Sequence, residues 1–258
     1  MAGAATSAVP HFAHIVVVIE ENHSYRDIVG SSRAPYFNSL AHSGALLTRS
    51  RGVTHPSEPN YLALFSGSTH GLANDSCPHR YRTRNLGSQL RNHGQRFAGY
   101  AESLPRTGYV GCYAGAYARK HAPWTDFANL PRRVGRPMSA FPAAYARLPR
   151  VAFVVPNLNH DMHDGTITQA DHWLHNHLAG YVRWARRHNS LLIVTWDEDD
   201  SSAGNHIPGL FVGAHVRAMR YRGRVDHYRL LRTIEAACRL PALGRARDRT
   251  PITSTWMP

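Results

Sequence analysis

The sequence predicts an α/β fold with a largely parallel sheet, and three observations lead there. Apolar runs alternate with helical stretches along most of the chain. The runs read as strands buried in the core, the clearest being Ile15-Val16-Val17-Val18-Ile19 and Leu191-Leu192-Ile193-Val194-Thr195-Trp196. Each run is followed by a polar cluster, and open α/β sheets bind their ligands outside the carboxyl ends of the strands.

In chain order, strands are expected at 14–19, 44–50, 97–101, 151–155, 191–196 and 209–212, and helices at 35–43, 58–65, 86–93, 169–188 and 228–238. The first strand ends in Glu20-Glu21-Asn22-His23. Thr54-His55-Pro56-Ser57 follows the second, and Asn157 to Asp164 follows the strand at 151–155. Asp197-Glu198-Asp199-Asp200 and Gly204-Asn205-His206 complete the set. The stretch 74–142 is rich in Gly, Pro, Tyr and Arg and reads as a loop-rich insertion over the active site of a single domain spanning 1–258.

Composition bounds the partners. The chain has 258 residues and 43% hydrophobic content, enough for one full core. No apolar run is long enough to span a bilayer as a helix. The formal net charge is +13, which favours anionic partners: nucleic acid, lipid head groups or phosphorylated metabolites. Lys120 is the only lysine, however, and so strong an Arg bias reads as genome composition rather than a binding adaptation. Cys77, Cys112 and Cys238 allow one disulfide, and the first two, in the same loop-rich stretch, are the expected pair. No C-x-x-C occurs, which argues against a zinc ribbon or dithiol site. The short start Met1-Ala2-Gly3-Ala4-Ala5-Thr6-Ser7-Ala8 resembles a mature secreted chain whose signal peptide has been removed.

The four acids at 197–200 carry the most information, because the chain has only 17 acids against 30 basic residues. Clustered carboxylates repel unless a cation sits among them, and hard divalent cations prefer carboxylate oxygen. Glu21, Asn22, Asp197 and Glu198 are therefore candidate metal ligands; Asp199 and Asp200 read equally as solvated loop acids. Ser57 precedes Glu58-Pro59 and a helical run. It reads either as a helix N-cap or as a hydroxyl nucleophile held in the positive field of a helix N-terminus. His160, Asp161, His163 and Asp164 offer acid/base or ligand chemistry. His206 is a further candidate, and Arg119-Lys120-His121 reads as a phosphate clamp or as a solvated basic loop. There is no G-x-S-x-G elbow, Walker A loop, H-E-x-x-H helix or dinucleotide fingerprint.

Several of these segments, in this order, resemble the phosphoesterase family of bacterial acid phosphatases and phospholipases C, within the alkaline-phosphatase-like superfamily. They are Ile19-Glu20-Glu21-Asn22-His23-Ser24-Tyr25, Thr54-His55-Pro56-Ser57-Glu58-Pro59-Asn60-Tyr61, Gly67-Ser68-Thr69-His70-Gly71, Arg119-Lys120-His121-Ala122-Pro123-Trp124, Asn159-His160-Asp161-Met162-His163-Asp164-Gly165 and Thr195-Trp196-Asp197-Glu198. The resemblance implies a three-layer alkaline-phosphatase-like sandwich and hydrolysis of phosphate esters through a phosphoserine. It implies Ser57 as nucleophile, Glu21, Asn22, Asp197 and Glu198 as ligands of one or two divalent metals (Mg, Ca or Zn), and Lys120 with His121 on the phosphate; Asp161 is expected as a further metal ligand. Asn74 falls where an amide would contact phosphate oxygens, and His163 or His160 would protonate the leaving alcohol. Asp199-Asp200-Ser201-Ser202 replaces the Gly-Gly that follows Asp-Glu in phospholipases C, and the chain is short, so the small acid phosphatase branch is expected, some of whose members act on phosphoinositides. The expected protein is thus a secreted, metal-dependent acid phosphatase acting on small phosphate esters or phospholipid head groups, with no specific nucleic-acid partner. The alternatives are a phospholipase C-type phosphodiesterase and, from another class, a basic nucleic-acid- or surface-binding protein.

Overall fold

β-branched and aromatic residues, which suit a pleated and buried surface, dominate the long strands. A computed structural model describes residues 8–257; the secreted-type start, up to Ser7, lies outside the described residues. The strands are β1 (His14–Glu20), β2 (Ala45–Leu47), β3 (Ser50–Arg51), β4 (Phe97–Ala101), β5 (Tyr113–Ala114), β6 (Tyr117–Ala118), β7 (Gly135–Pro137), β8 (Val151–Val155), β9 (Ser190–Trp196), β10 (His206–Ile207), β11 (Gly209–Gly213), β12 (Met219–Tyr221) and β13 (Val225–Asp226). The α-helices are α1 (Tyr25–Ile28), α2 (Pro35–Ser43), α3 (Ser57–Ser66), α4 (Leu86–Asn92), α5 (Ile167–Ala185) and α6 (His227–Ala237). No helix among the described residues is long and apolar enough to cross a membrane.

Among the described residues, eight strands form the main sheet in the order β12-β2-β11-β9-β1-β8-β4-β7. All its pairings are parallel except those of β11, which runs antiparallel to both β2 and β9. The strand expected at 44–50 divides: β2 stays in the main sheet, while β3 joins β10 and β13 in a small second sheet. The stretch 74–142 gives the main sheet two strands, β4 and β7, while the β5–β6 hairpin and the short turns after it form the loop-rich part. α5 starts before the expected position because Thr166 and Gln169 form a reciprocal capping box at its N-terminus.

Side chains alternate across β1, so Ile15, Val17 and Ile19 pack in one core and Val16 and Val18 in the other. The first core is covered by α3, α4 and α6, through residues such as Leu62, Phe65, Leu90 and Leu231. The second is covered by α2 and α5, through Phe37, Leu40, Leu174 and Leu178. The result is a three-layer α/β sandwich, as the sequence leads one to expect. Each fully buried Leu or Phe contributes about 1.5–3 kcal/mol of apolar transfer free energy. Outside the sheet, Cys77 and Cys112 are joined in a disulfide and Cys238 is a buried free thiol.

Candidate active site

β1 lies between β8 and β9, so the carboxyl ends of all three open into one crevice. Main-chain hydrogen bonds tie those ends together: Glu21 N donates to Asp161 O at 2.7 Å, and Asp197 N donates to Glu20 O at 3.0 Å. Both Glu21 and Asp197 are buried, at 0% and 1% exposure, and Glu198 is at 5%.

The crevice meets the N-terminus of α3, a helix buried on every side. Asn60 fixes the approach to it. Its Oδ1 accepts from Val53 N and Thr54 N at 2.8 and 3.1 Å, and its Nδ2 donates to Thr54 O and Pro56 O at 2.9 and 3.1 Å. Gly67 closes the helix in the left-handed conformation, φ 74°, with its N–H on Ala63 O; a Cβ there would lie 2.4 Å from Leu243 O. Ser57 is not the N-cap. Pro56 holds that position without a side-chain cap, and the Glu58 amide is instead taken by Asp75 Oδ1 at 2.9 Å. The Ser57 hydroxyl is thereby spared capping and stands 3.0 Å from Glu21 Oε2 and 3.1 Å from Glu198 Oε1. One helical turn on, Tyr61 donates its hydroxyl to Glu21 Oε1 at 2.6 Å.

The basic loop reaches the same place. His121 Nε2 is 3.1 Å from Glu21 Oε1, and its Nδ1 donates to Asp161 Oδ2 at 3.1 Å. The His121 ring also stacks on Tyr61 at 5.1 Å. Lys120 donates to Asp75 Oδ2 at 2.8 Å and lies 3.1 Å from His163 Nε2, while His163 Nδ1 is 2.7 Å from Asp164 Oδ1. Burial weakens the Lys120 charge, but the Asp75 hydrogen bond and the nearby acids outweigh it, so its pKa is raised. Burial pushes His121 down to about 4.

Burial, then the charges of Glu21 and Glu198, hold the Asp197 carboxyl well above its usual range. Burial, then Glu21, lifts Glu198 to about 7. Both Asp197 oxygens are buried with no hydrogen-bond partner. Several kcal/mol is the effective penalty for an ion buried without compensation, so the donor set fits a hard divalent cation. Glu21, Asp197 and Glu198 supply oxygen, and Glu21, His121 and His163 place one ligand atom each within 4.8 Å of one another.

The structure thus brings together Ser57, Glu21, Asp197, Glu198, Lys120, His121 and His163. Asn22, adjacent to Glu21, turns the chain at the end of β1 with φ 52°. Four expected site residues are placed otherwise. Asp161 stands behind His121 rather than as a free ligand, with Oδ2 on His121 and Oδ1 accepting from His163 N at 2.8 Å. His160 is drawn off to Glu102, 2.9 Å from Oε2. Asn74 accepts from Ser76 N at 3.1 Å in an exposed turn, and its neighbour Asp75 is the residue that enters the site. His206 donates to Thr48 O at 3.1 Å and stacks on Tyr25. Asp199 is a loop acid, accepting from Ser201 N and Ala203 N at 2.8 and 2.9 Å.

Sequence reasoning passed over His55, Tyr61, Asp75 and His227. His55 Nδ1 is 2.6 Å from Glu198 Oε2. His227 donates from Nε2 to Asp197 O at 2.5 Å. Tyr61 carries a signal, four residues after Ser57 on the same helix face, and His55 stands in the polar cluster that leads to Ser57; Asp75 and His227 carry none.

Comparison with known proteins bears on the family and the fold. The phosphoesterase family model matches residues 30–241. The chain is 51% identical over 257 residues to a phosphatidylinositol-3-phosphatase of Mycobacterium tuberculosis, covering 98% of this chain and 86% of that protein. It is 30% identical to an acid phosphatase of Aspergillus fumigatus over 87% of this chain, spanning 54% of that longer protein. In fold it is similar to a protein of the alkaline phosphatase superfamily from Vibrio parahaemolyticus, with TM-score 0.64, 11% identity, and 96% and 72% of the two chains covered. It is similar also to murine ectonucleotide pyrophosphatase/phosphodiesterase 5, with TM-score 0.62, 13% identity, and 91% and 98% covered.

Proposed function

Because the chain belongs to the phosphoesterase family and is a hydrolase of phosphate esters, we propose that it is a secreted, metal-dependent phosphomonoesterase that works through a phosphoserine and accepts phosphoinositide head groups. The observation that carries the mechanism is the Ser57 hydroxyl within 3.1 Å of two buried carboxylates at a helix N-terminus. The substrate class rests on the mycobacterial relative, which is similar over almost the whole chain. Secretion rests on the Cys77–Cys112 disulfide, which belongs to oxidising compartments.

Glu21, Asp197 and Glu198 would hold the cation, with Asn22 beside them. When bound, it supplies the positive charge that keeps these carboxylates ionised and favours the alkoxide form of a neighbouring hydroxyl. Ser57 Oγ attacks phosphorus, and its proton leaves by way of Glu198 and the solvent-facing His55, 2.6 Å apart. The bond from phosphorus to the ester oxygen breaks, and the leaving alkoxide takes a proton from the Lys120–His163 pair. Lys120 and the positive end of the α3 dipole face the charge on the phosphoryl oxygens. Asp161 keeps the His121 ring oriented, and Asp75 does the same for Lys120. Water then cleaves the phosphoserine and releases inorganic phosphate.

The first test is p-nitrophenyl phosphate hydrolysis before and after chelation, with divalent ions added back. Activity lost to chelator and restored by one ion is expected; full activity in a protein shown to be metal-free would overturn metal dependence. Faster turnover of bis-p-nitrophenyl phosphate than of the monoester would favour the diesterase. For secretion, activity is assayed in culture medium and in washed cells of the source organism, and activity confined to the cells would reject it.

A further inference from the structure

A cavity of about 990 Å³ is lined by Arg49, Arg51, Arg224, Arg229, Arg245 and Arg249. The small sheet β10-β3-β13 supplies part of its wall, through Arg51, His206, Val225 and Asp226. Arginine is common in this chain, so the number alone decides little. Position and pairing decide more. Asp226 is taken by Arg249, at 2.7 and 2.9 Å. Among the described residues, none of the other five arginines has a carboxylate within ion-pairing distance. Arg229 is held by main-chain carbonyls, Thr250 O at 3.0 Å and Arg224 O at 2.7 Å, and Arg51 by Gly204 O. Arg245 lies over the Tyr228 ring at 5.0 Å. Asp248 is the other acid in the lining, leaving an excess of positive charge around an open space.

Two chain segments run from this cavity into the active site. Gly52 and Val53 line it, and the next residues, pinned by Asn60, lead to Ser57. Tyr228 lines it too, and the preceding residue, His227, holds the main chain of Asp197. Guanidinium groups recognise phosphate oxygens through paired charge-assisted hydrogen bonds. We infer that this cavity is a second phosphate site, which grips a further phosphate group of the substrate while the scissile one lies at Ser57. The inference rests on the phosphomonoesterase reading and deepens it: substrates with two phosphate groups are preferred over simple monoesters.

The test compares p-nitrophenyl phosphate with inositol 1,3-bisphosphate in the metal-loaded protein. The variant carries Arg49→Gln, Arg224→Gln and Arg245→Gln together. A control carries Arg91→Gln, Arg133→Gln and Arg136→Gln, three arginines lining a different cavity of about 500 Å³. The first variant should raise KM for the bisphosphate about tenfold, since a hydrogen bond to a charged group is worth that much or more. It should leave kinetics with p-nitrophenyl phosphate within about twofold, and the control should leave both substrates unchanged. Equal losses in variant and control would reduce the effect to the general field of a basic protein and overturn the site. Unchanged kinetics in the first variant would do the same. Free phosphate as the true occupant is a separate outcome: inorganic phosphate would then inhibit p-nitrophenyl phosphate turnover partly non-competitively, the non-competitive part vanishing in the variant, and that would overturn the substrate assignment. Calorimetric titration of inositol 1,3-bisphosphate into Ser57→Ala, with and without the three arginine changes, gives a reading independent of turnover. Inactivity on p-nitrophenyl phosphate of the protein with Ser57 intact, together with a loss of affinity on the three arginine changes, would refute the phosphatase reading and keep the site.

Discussion

Ser57 Oγ stands 3.0 Å from Glu21 Oε2, joining the first residue of α3 to the carboxyl end of β1. The contact depends on Asp75. Because Asp75 accepts from the Glu58 amide, the serine is not needed as a cap and its hydroxyl turns to the acids. Tyr61, on the same helix face, holds the other Glu21 oxygen, so one short helix both presents the hydroxyl and aims the carboxylate beside it.

Ser57→Ala is expected to lower kcat for p-nitrophenyl phosphate by roughly 10³-fold or more, the scale seen when a nucleophile is removed. The fold should persist, because Ser57 caps nothing and the change deletes a single hydroxyl. Far-UV circular dichroism and Tm check the fold, and steady-state rates check the chemistry. Retention of even a tenth of the turnover would exclude Ser57 as the nucleophile.

Asp197→Asn separates the cost of the acidic cluster from its use. Without a cation, Asp197 is a buried carboxyl with unpartnered oxygens beside two more acids. Neutralising it should raise Tm of the chelated protein by about 2 °C or more. The wild type should gain about 2.7 kcal/mol from a divalent ion at a hundred times its Kd, and the variant much less. Scanning calorimetry with and without the ion reads both effects. A variant less stable than wild type in chelator, with an equal gain from the ion, would remove Asp197 from the cation site.

The disulfide joins residues 35 apart, so opening it frees chain entropy worth about 3–4 kcal/mol in the unfolded state. It also brackets the site. Asp75 lies two residues before Cys77, and Cys112 O accepts from Arg119 N beside Lys120. Reduction, or Cys77→Ala with Cys112→Ala, should therefore lower both Tm and kcat/KM. A large fall in Tm with kinetics untouched at a temperature well below both transitions would show that the bridge does not position the Asp75–Lys120 pair.

The strands that build the crevice were legible because β1 and β9 are unbroken apolar runs that end in acids, a pattern that ordinary surface loops do not produce. Strand direction was not: β11 is a short apolar run like the other buried strands, and nothing in its periodicity tells that it runs antiparallel to β2 and β9. β7 is Gly-Arg-Pro, which carries no strand signal and is ordered only by pairing with β4. At the site, the serine and its acids are adjacent to obvious elements, whereas Asp75 and His55 lie in loops whose course depends on long-range contacts. Asn74 and Asp75 show the limit well. Both are polar residues in one turn, and the turn alone decides which of them faces Lys120. His206 was picked out for its type, and it lies in the arginine cavity rather than among the carboxylates.

A final prediction concerns stability rather than chemistry. Glu235, on α6, is fully buried; its Oε1 accepts from Leu243 N at 2.8 Å, and its Oε2 lies 3.9 Å from Arg232 Nη1. Burial lifts its pKa from 4.5 to about 8, against the opposing pull of the Leu243 amide and the nearby arginines. Between these two pH values the unfolded chain gives up the proton and the folded one keeps it. Stability from this group is therefore complete below pH 4.5, falls as pH rises, and levels off above about pH 8. Glu235→Gln keeps an oxygen for Leu243 N and cannot ionise. Its stability relative to wild type should be near zero at pH 4.5 and should climb to roughly 1–3 kcal/mol in its favour at pH 9. Urea titrations of both proteins at the two pH values measure the difference, in which shifts common to the other groups cancel. A difference that stays flat, or falls with pH, would mean that Glu235 is ionised in the folded protein and that Arg232 stabilises its charge.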